Sequence, residues 1–299
     1  MTTIFKRKKI QAYIQKNYIL LLGILIIGVY AILQIKPFFF PAYLPDEAWF
    51  YWVAETKAST LNYKLIIPFI FSQTNELGYG ALYWIFYTLH IHTLSTLGFS
   101  KAVIFGLFRL LSFLTIVLTP LLLLLYGHIQ KNSMVLYAVL LWISLPVAWW
   151  YGKITAPEPL LIFLSLLGLC LIFYPKKPTN DKLVRYFCIF GWSVLGIVVG
   201  LKLSALPVLI FAIVVSVLCE KTKLKLALYG AISFVFGFIF SNLFILTNTV
   251  VYIENIKKAT SDSLISFQQL VYILNNNFWE WDLILNGGLI QWSMVPLAY

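Results

Sequence analysis

Apolar runs of about 20 residues recur along the whole chain, and each is long enough to cross a hydrocarbon layer of about 30 Å as a helix. The runs fall at 18–35, 102–126, 133–150, 157–174, 184–201, 203–219 and 226–247. A backbone inside lipid must satisfy its own polar groups, so these runs predict helices. The expected fold class is all-α: a polytopic helical membrane protein with seven transmembrane helices. The stretch 78–99 is long enough to cross but mixed in polarity. Its Tyr79, Tyr83, Trp84 and Tyr87 suit a membrane–water interface, so it predicts a surface element.

Composition removes the soluble alternatives. Of 299 residues, 61% are hydrophobic and only 11% charged, which no ordinary soluble globule carries. The net charge of +11 raises nucleic acid as a partner, but the placement of the charges rejects it. With 78–99 outside, thirteen of the 22 lysines and arginines fall in inner loops, beside only Asp181 and Glu220 among the acids. If 78–99 crossed, the clusters at 176–185 and 221–225 would move outside, against the positive-inside rule. The expected location is the plasma membrane, multi-pass, with a cytoplasmic N-terminus. Lys6 to Lys16 ahead of the first run read as an uncleaved signal-anchor, because no small-residue cleavage site follows. The expected organisation is a transmembrane module over 1–247, with a first outer loop at 36–101, and an outer segment over 248–299. Asn286-Gly287-Gly288 reads as the start of a further element, and hence as a truncated chain.

Few residues remain that could carry chemistry. Pro45-Asp46-Glu47 places two adjacent acids just past the first span, in a chain with 11 acids in all. Asp46 is expected to cap an amphipathic helix over about 47–58, where Glu47 is a first-turn acid. A residue fixed at a helix start can equally serve as a general base. Glu158, between Pro157 and Pro159, reads either as another first-turn acid or as a site acid, with Lys153 as its candidate partner. Lys202 has apolar runs on both sides. It either snorkels from a helix end or meets an anion such as a lipid-linked phosphate. Arg109, a third of the way into its run, either pairs with an outer acid or binds phosphate. His90 and His92, two apart, do not share a helical face, and nothing supplies a third metal ligand. Neither a phosphate-cradling glycine loop nor a metalloprotease or hydrolase motif is present.

Taken in order, Pro45-Asp46-Glu47, Arg109-Leu110-Leu111-Ser112, Ala156-Pro157-Glu158-Pro159-Leu160 and Gly200-Leu201-Lys202 resemble the motif set of the GT-C membrane glycosyltransferases. Within that superfamily the pattern is similar to the protein O-mannosyltransferases and the bacterial aminoarabinose transferases. The resemblance covers residues 18–250. It implies a glycosyltransferase that takes a sugar from a polyprenyl-phosphate-linked donor and passes it to an acceptor on the outer face. Asp46 would be the base with Glu47 beside it, and Lys202, Arg109, Glu158 and Lys153 would hold substrate. Asn75-Glu76-Leu77-Gly78-Tyr79-Gly80 departs from the family, whose members carry a lysine-containing motif at that place. Expected partners are the donor, an acceptor that is a protein, lipid or cell-surface glycan, and membrane lipids. No cofactor is certain, and a divalent cation is left open. The alternatives are a transporter or lipid-handling permease, and a non-catalytic accessory subunit.

Overall fold

The computed structural model describes residues 2–38, 45–59, 61, 66–73, 80–145, 148–149, 157–174, 181–219 and 224–257. The described residues are helical and include no strand. The helices are α1 (Thr2–Phe38), α2 (Pro45–Ser59), α3 (Ile66–Ser72), α4 (Ala81–Thr96), α5 (Lys101–Ile129), α6 (Val135–Ser144), α7 (Glu158–Ile172), α8 (Asp181–Leu201), α9 (Leu206–Cys219) and α10 (Leu224–Ser241). Short 3₁₀ turns follow at Leu203–Ala205 and Leu243–Leu246, and a further helical stretch covers 249–257.

Among the described residues, three helical stretches are long and apolar enough to span a membrane: Asn17–Ile35, Lys101–Ile129 and Lys182–Leu201. The first confirms where the apolar part of α1 begins. Helical dihedrals break at Asn17, which divides the basic N-terminal turns from the apolar run. The other four expected spans are shorter apolar helices, and proline accounts for two of them. Leu145 precedes Pro146, which pushes it to extended backbone (ψ 124°), so α6 stops at Ser144 instead of running to 150. Pro207 is tolerated only in a first turn, so α9 starts at Leu206, after the turn that contains Lys202. At about 1.5 Å per residue, the 15 residues of α7 reach only about 22 Å.

The chain divides into two compact units, Met1–Ala42 with Phe108–Phe163, and Tyr43–Leu107 with Leu164–Tyr299. In the first unit, α5 and α6 form an antiparallel hairpin: Gly127 packs against Val135 at one end, and Trp142 reaches Ile116 further along. Helix α1 runs parallel to α6. Gly23 lies against Leu124, near the hairpin's turn, whereas Tyr30 Oη donates to the Ala148 carbonyl at 2.9 Å. Within this unit α1 therefore runs toward the end from which α5 comes.

Pro120 interrupts α5 and has no N–H to give the Ile116 carbonyl. Trp142 Nε1–H donates to that carbonyl at 3.3 Å, so a neighbouring helix repairs the gap. Trp142→Phe is expected to cost about 1 kcal/mol in the wild-type background by orphaning the carbonyl. In a Pro120→Ala background, where the helix bond returns, the same change is expected to cost little. Detergent unfolding of the four variants measures the coupling, and equal costs in both backgrounds would refute it.

The second unit is built on glycine contacts. Side chains at Gly196 and Gly237 would overlap the carbonyls of Phe234 and Ser193, so α8 and α10 touch backbone to backbone. Trp192 lies against Gly230 and Ser241 against Gly200, so contacts advance together along both helices and the pair is parallel. Small residues four apart, Gly196/Gly200 and Gly237/Ser241, make this approach possible. The pair α7 and α8 meets in the same way but antiparallel, with Gly168 against Gly191 and Leu195. Ala212 of α9 joins Ile172 and Leu195 in a buried cluster. Across the ends of α8 and α10 lies a layer of α3, α4, the Leu243–Leu246 turn and the 249–257 helix, centred on Ala81, Ile85, Phe244 and Tyr252.

Candidate functional site

Helix ends leave backbone groups without partners, and the second unit uses three such ends to build one junction. At the end of α8, the Leu201 carbonyl accepts the Gly80 N–H at 2.7 Å. The Gly200 carbonyl accepts Asn242 Nδ2–H at 2.8 Å, while Asn242 Oδ1 accepts the Ala81 N–H at 3.2 Å. Asn242 thus serves α8 with its donor and the start of α4 with its acceptor, and it is fully buried. Both glycines are required by space, since a Cβ on Gly80 would overlap the Gly200 carbonyl and one on Gly200 would overlap Ser241 Oγ.

Lys202 emerges from this junction. Its backbone switches to extended (φ −156°, ψ 117°). Its N–H donates to Val198 and its carbonyl accepts the Ala205 N–H, both at 3.0 Å. The lysine is half-buried. Its backbone is therefore fixed from both sides.

The same unit holds α2. The helix opens at Pro45, not after Asp46, so the expectation of Asp46 as the cap is corrected. Proline's fixed φ and missing N–H suit a first helical position, which moves Asp46 and Glu47 into the first turn. The side chains of both acids lie outside the described residues. Further along α2, Glu55 pairs with Lys101 at 2.7 Å, and Tyr51 stacks on Phe105. Lys57 donates to Gln73 Oε1 at 3.0 Å and lies 5.7 Å from the centre of the Trp84 ring. The sequence reading passed over this lysine.

In the first unit, Arg109 is buried on α5, on the same helical face as buried Ser112 and Thr119. The hydroxyls of Thr115 and Thr119 donate to carbonyls of their own helix. Glu158 is half-buried as the first residue of α7, between buried Pro157 and Pro159. Lys153 lies outside the described residues. The predicted residues thus separate: Asp46, Glu47 and Lys202 belong to one unit, Arg109 and Glu158 to the other.

The two histidines have structural partners. His92 Nδ1–H donates to the Ala58 carbonyl at 2.9 Å, joining α4 to α2. His90 lies against Phe86, and burial holds its imidazole below the usual 6.5. The unfolded chain therefore takes this proton at higher pH than the folded one. The stability from neutral His90 is fully present above pH 6.5 and is lost as pH falls through the folded value. In melts between pH 7.5 and 5, His90→Phe is expected to flatten the acid-side loss. An unchanged slope would remove His90 as its source. Among the described residues, no group of three His, Cys, Asp or Glu is placed to hold a metal ion.

No protein-family model matches the chain, and neither a curated protein nor a solved structure matches it.

Proposed function

We propose that the protein is an integral membrane glycosyltransferase that moves a sugar from a polyprenyl-phosphate-linked donor to an acceptor on the outer face. The observation that carries this reading is the backbone-clasped Lys202, in the same unit as the helix that presents Asp46 and Glu47. In the reaction, the Asp46 carboxylate takes the proton of an acceptor hydroxyl as its oxygen bonds to the anomeric carbon. The carbon–oxygen bond to phosphate breaks on the opposite side, inverting that carbon. Polyprenyl phosphate leaves with the electron pair, and Lys202 meets its charge.

The topology this requires draws support from helix directions. In the first unit, α1 runs toward the end from which α5 comes, as it must if 36–101 leaves and returns on the same side. The parallel α8 and α10 agree with both running from the basic inner loops to the outer face. Seven crossings, a plasma-membrane location and a cytoplasmic N-terminus belong to the same proposal. A transport pathway would draw on the polar face of α5, but the hydroxyls of Thr115 and Thr119 are bonded to their own helix.

The test is incubation of purified membranes with radiolabelled polyprenyl-phosphate sugars and extracted cell-surface acceptors. Transfer that depends on the chain supports the reading. Transfer that is equal in membranes lacking it sinks the reading.

A further inference from the structure

Lys202 has no loop of its own, because an apolar helix ends immediately before it and a 3₁₀ turn starts immediately after. A lysine in such a place keeps a fixed position only if the backbone that carries it is tied down. Besides its own bonds to Val198 and Ala205, ties to the residues just before it come from elsewhere in the chain. Asn242 reaches Gly200 across 42 residues and Ala81 across 161, and Gly80 N–H closes on Leu201 beside them. The geometry requires a side chain with one donor and one acceptor at opposite faces of a single planar group. The asparagine amide supplies both, whereas an aspartate would turn an oxygen toward the Gly200 carbonyl and repel it. Nothing smaller bridges the gap, because Ser241 Oγ, next along, donates to the Phe238 carbonyl of its own helix.

We propose that Asn242 is a positioning residue for donor binding: through the Gly200 carbonyl it fixes the turn that presents Lys202 to the lipid-linked phosphate. This rests on the proposed role of Lys202, and it adds a residue with no chemistry of its own to the site. It also gives Gly80 a function. The tight approach of α4 to α8 excludes a side chain there, so Gly80 contributes its backbone N–H to the junction.

The two halves of the amide can be separated. Asn242→Asp retains the acceptor for Ala81 N–H and loses the donor to Gly200, whereas Asn242→Ala loses both. If the donor half positions Lys202, both variants are expected to raise the KM for a polyprenyl-phosphate sugar about tenfold with a smaller change in kcat. A second measurement is independent of transfer. In full-length protein carrying Lys202→Cys, the rate of labelling by a water-soluble maleimide reports how the turn is held. Both Asn242 changes are expected to alter that rate about tenfold, in protein that still elutes as a single species. Unaltered labelling in Asn242→Ala overturns the clasp. Altered labelling with an unchanged donor KM leaves the clasp in place and overturns the phosphate role of Lys202. An Asn242→Asp variant that matches wild type in both assays assigns the effect to α4 docking and overturns the proposal.

Discussion

Gly196→Val and Gly237→Val are each expected to destroy the folded protein, while Gly28→Ala leaves it intact or slightly more stable. At Gly196 and Gly237 the added Cβ would overlap a backbone carbonyl of the facing helix, which no rotamer change relieves. Relief requires α8 and α10 to separate, and their separation also pulls Gly200 from Ser241 and Asn242. Overpacking of this rigid kind costs about 3 kcal/mol or more, a large share of the stability of any domain. Gly28, also in a helix of apolar sequence, meets nothing within 4 Å. Alanine there gains only its better helix propensity, up to about 1 kcal/mol. Thermal unfolding and size-exclusion profiles in detergent compare the three. Two valine variants that match wild type would show that the backbone contact is absent.

Asp46→Asn is expected to lower kcat for sugar transfer by about 10²–10⁴-fold, the range that general-base removal covers. The donor KM should change little, since asparagine keeps the size of the side chain and the helix start is fixed by Pro45. Lys202→Met is expected to act in the opposite sense, raising the donor KM if, as proposed, the lysine meets the donor phosphate. The two effects divide the reaction between proton removal and leaving-group binding. Steady-state transfer with a synthetic short-chain donor separates them. An Asp46→Asn enzyme with wild-type kcat would remove the base assignment and leave the binding half standing.

Hydropathy alone located the start of the apolar part of α1, because a polar residue, Asn17, breaks the helix at the boundary of the basic segment. It also located α5 and α8, whose runs are continuous. It overestimated the run over 133–150, where Pro146 imposes extended backbone on Leu145 without changing the average apolarity. Lys202 was legible as a cation in an apolar setting, and its turn as a tight one. Asn242 was not legible. Its partners, Gly200 and Ala81, are brought to it by the fold, and locally it is one polar residue after an apolar run. The Gly196 to Gly200 spacing carries no reading from the sequence alone. Its match with Gly237 and Ser241 became meaningful only once α8 and α10 were paired.

The parallel pairing of α8 and α10 has an electrostatic consequence. Two parallel helices bring two C-terminal ends together, each with about half an elementary negative charge from aligned peptide dipoles. Here the N-terminal end of α4, with its opposite partial charge, is bonded to the Leu201 carbonyl at the end of α8 and to the Asn242 side chain just past α10. Lys202 adds a full positive charge at the same point. The potential at this junction is therefore a difference between the lysine and two helix ends, partly cancelled by a third. Removing α4 from the junction would leave the lysine attracted inward by its own bundle. With α4 docked, that inward pull is smaller.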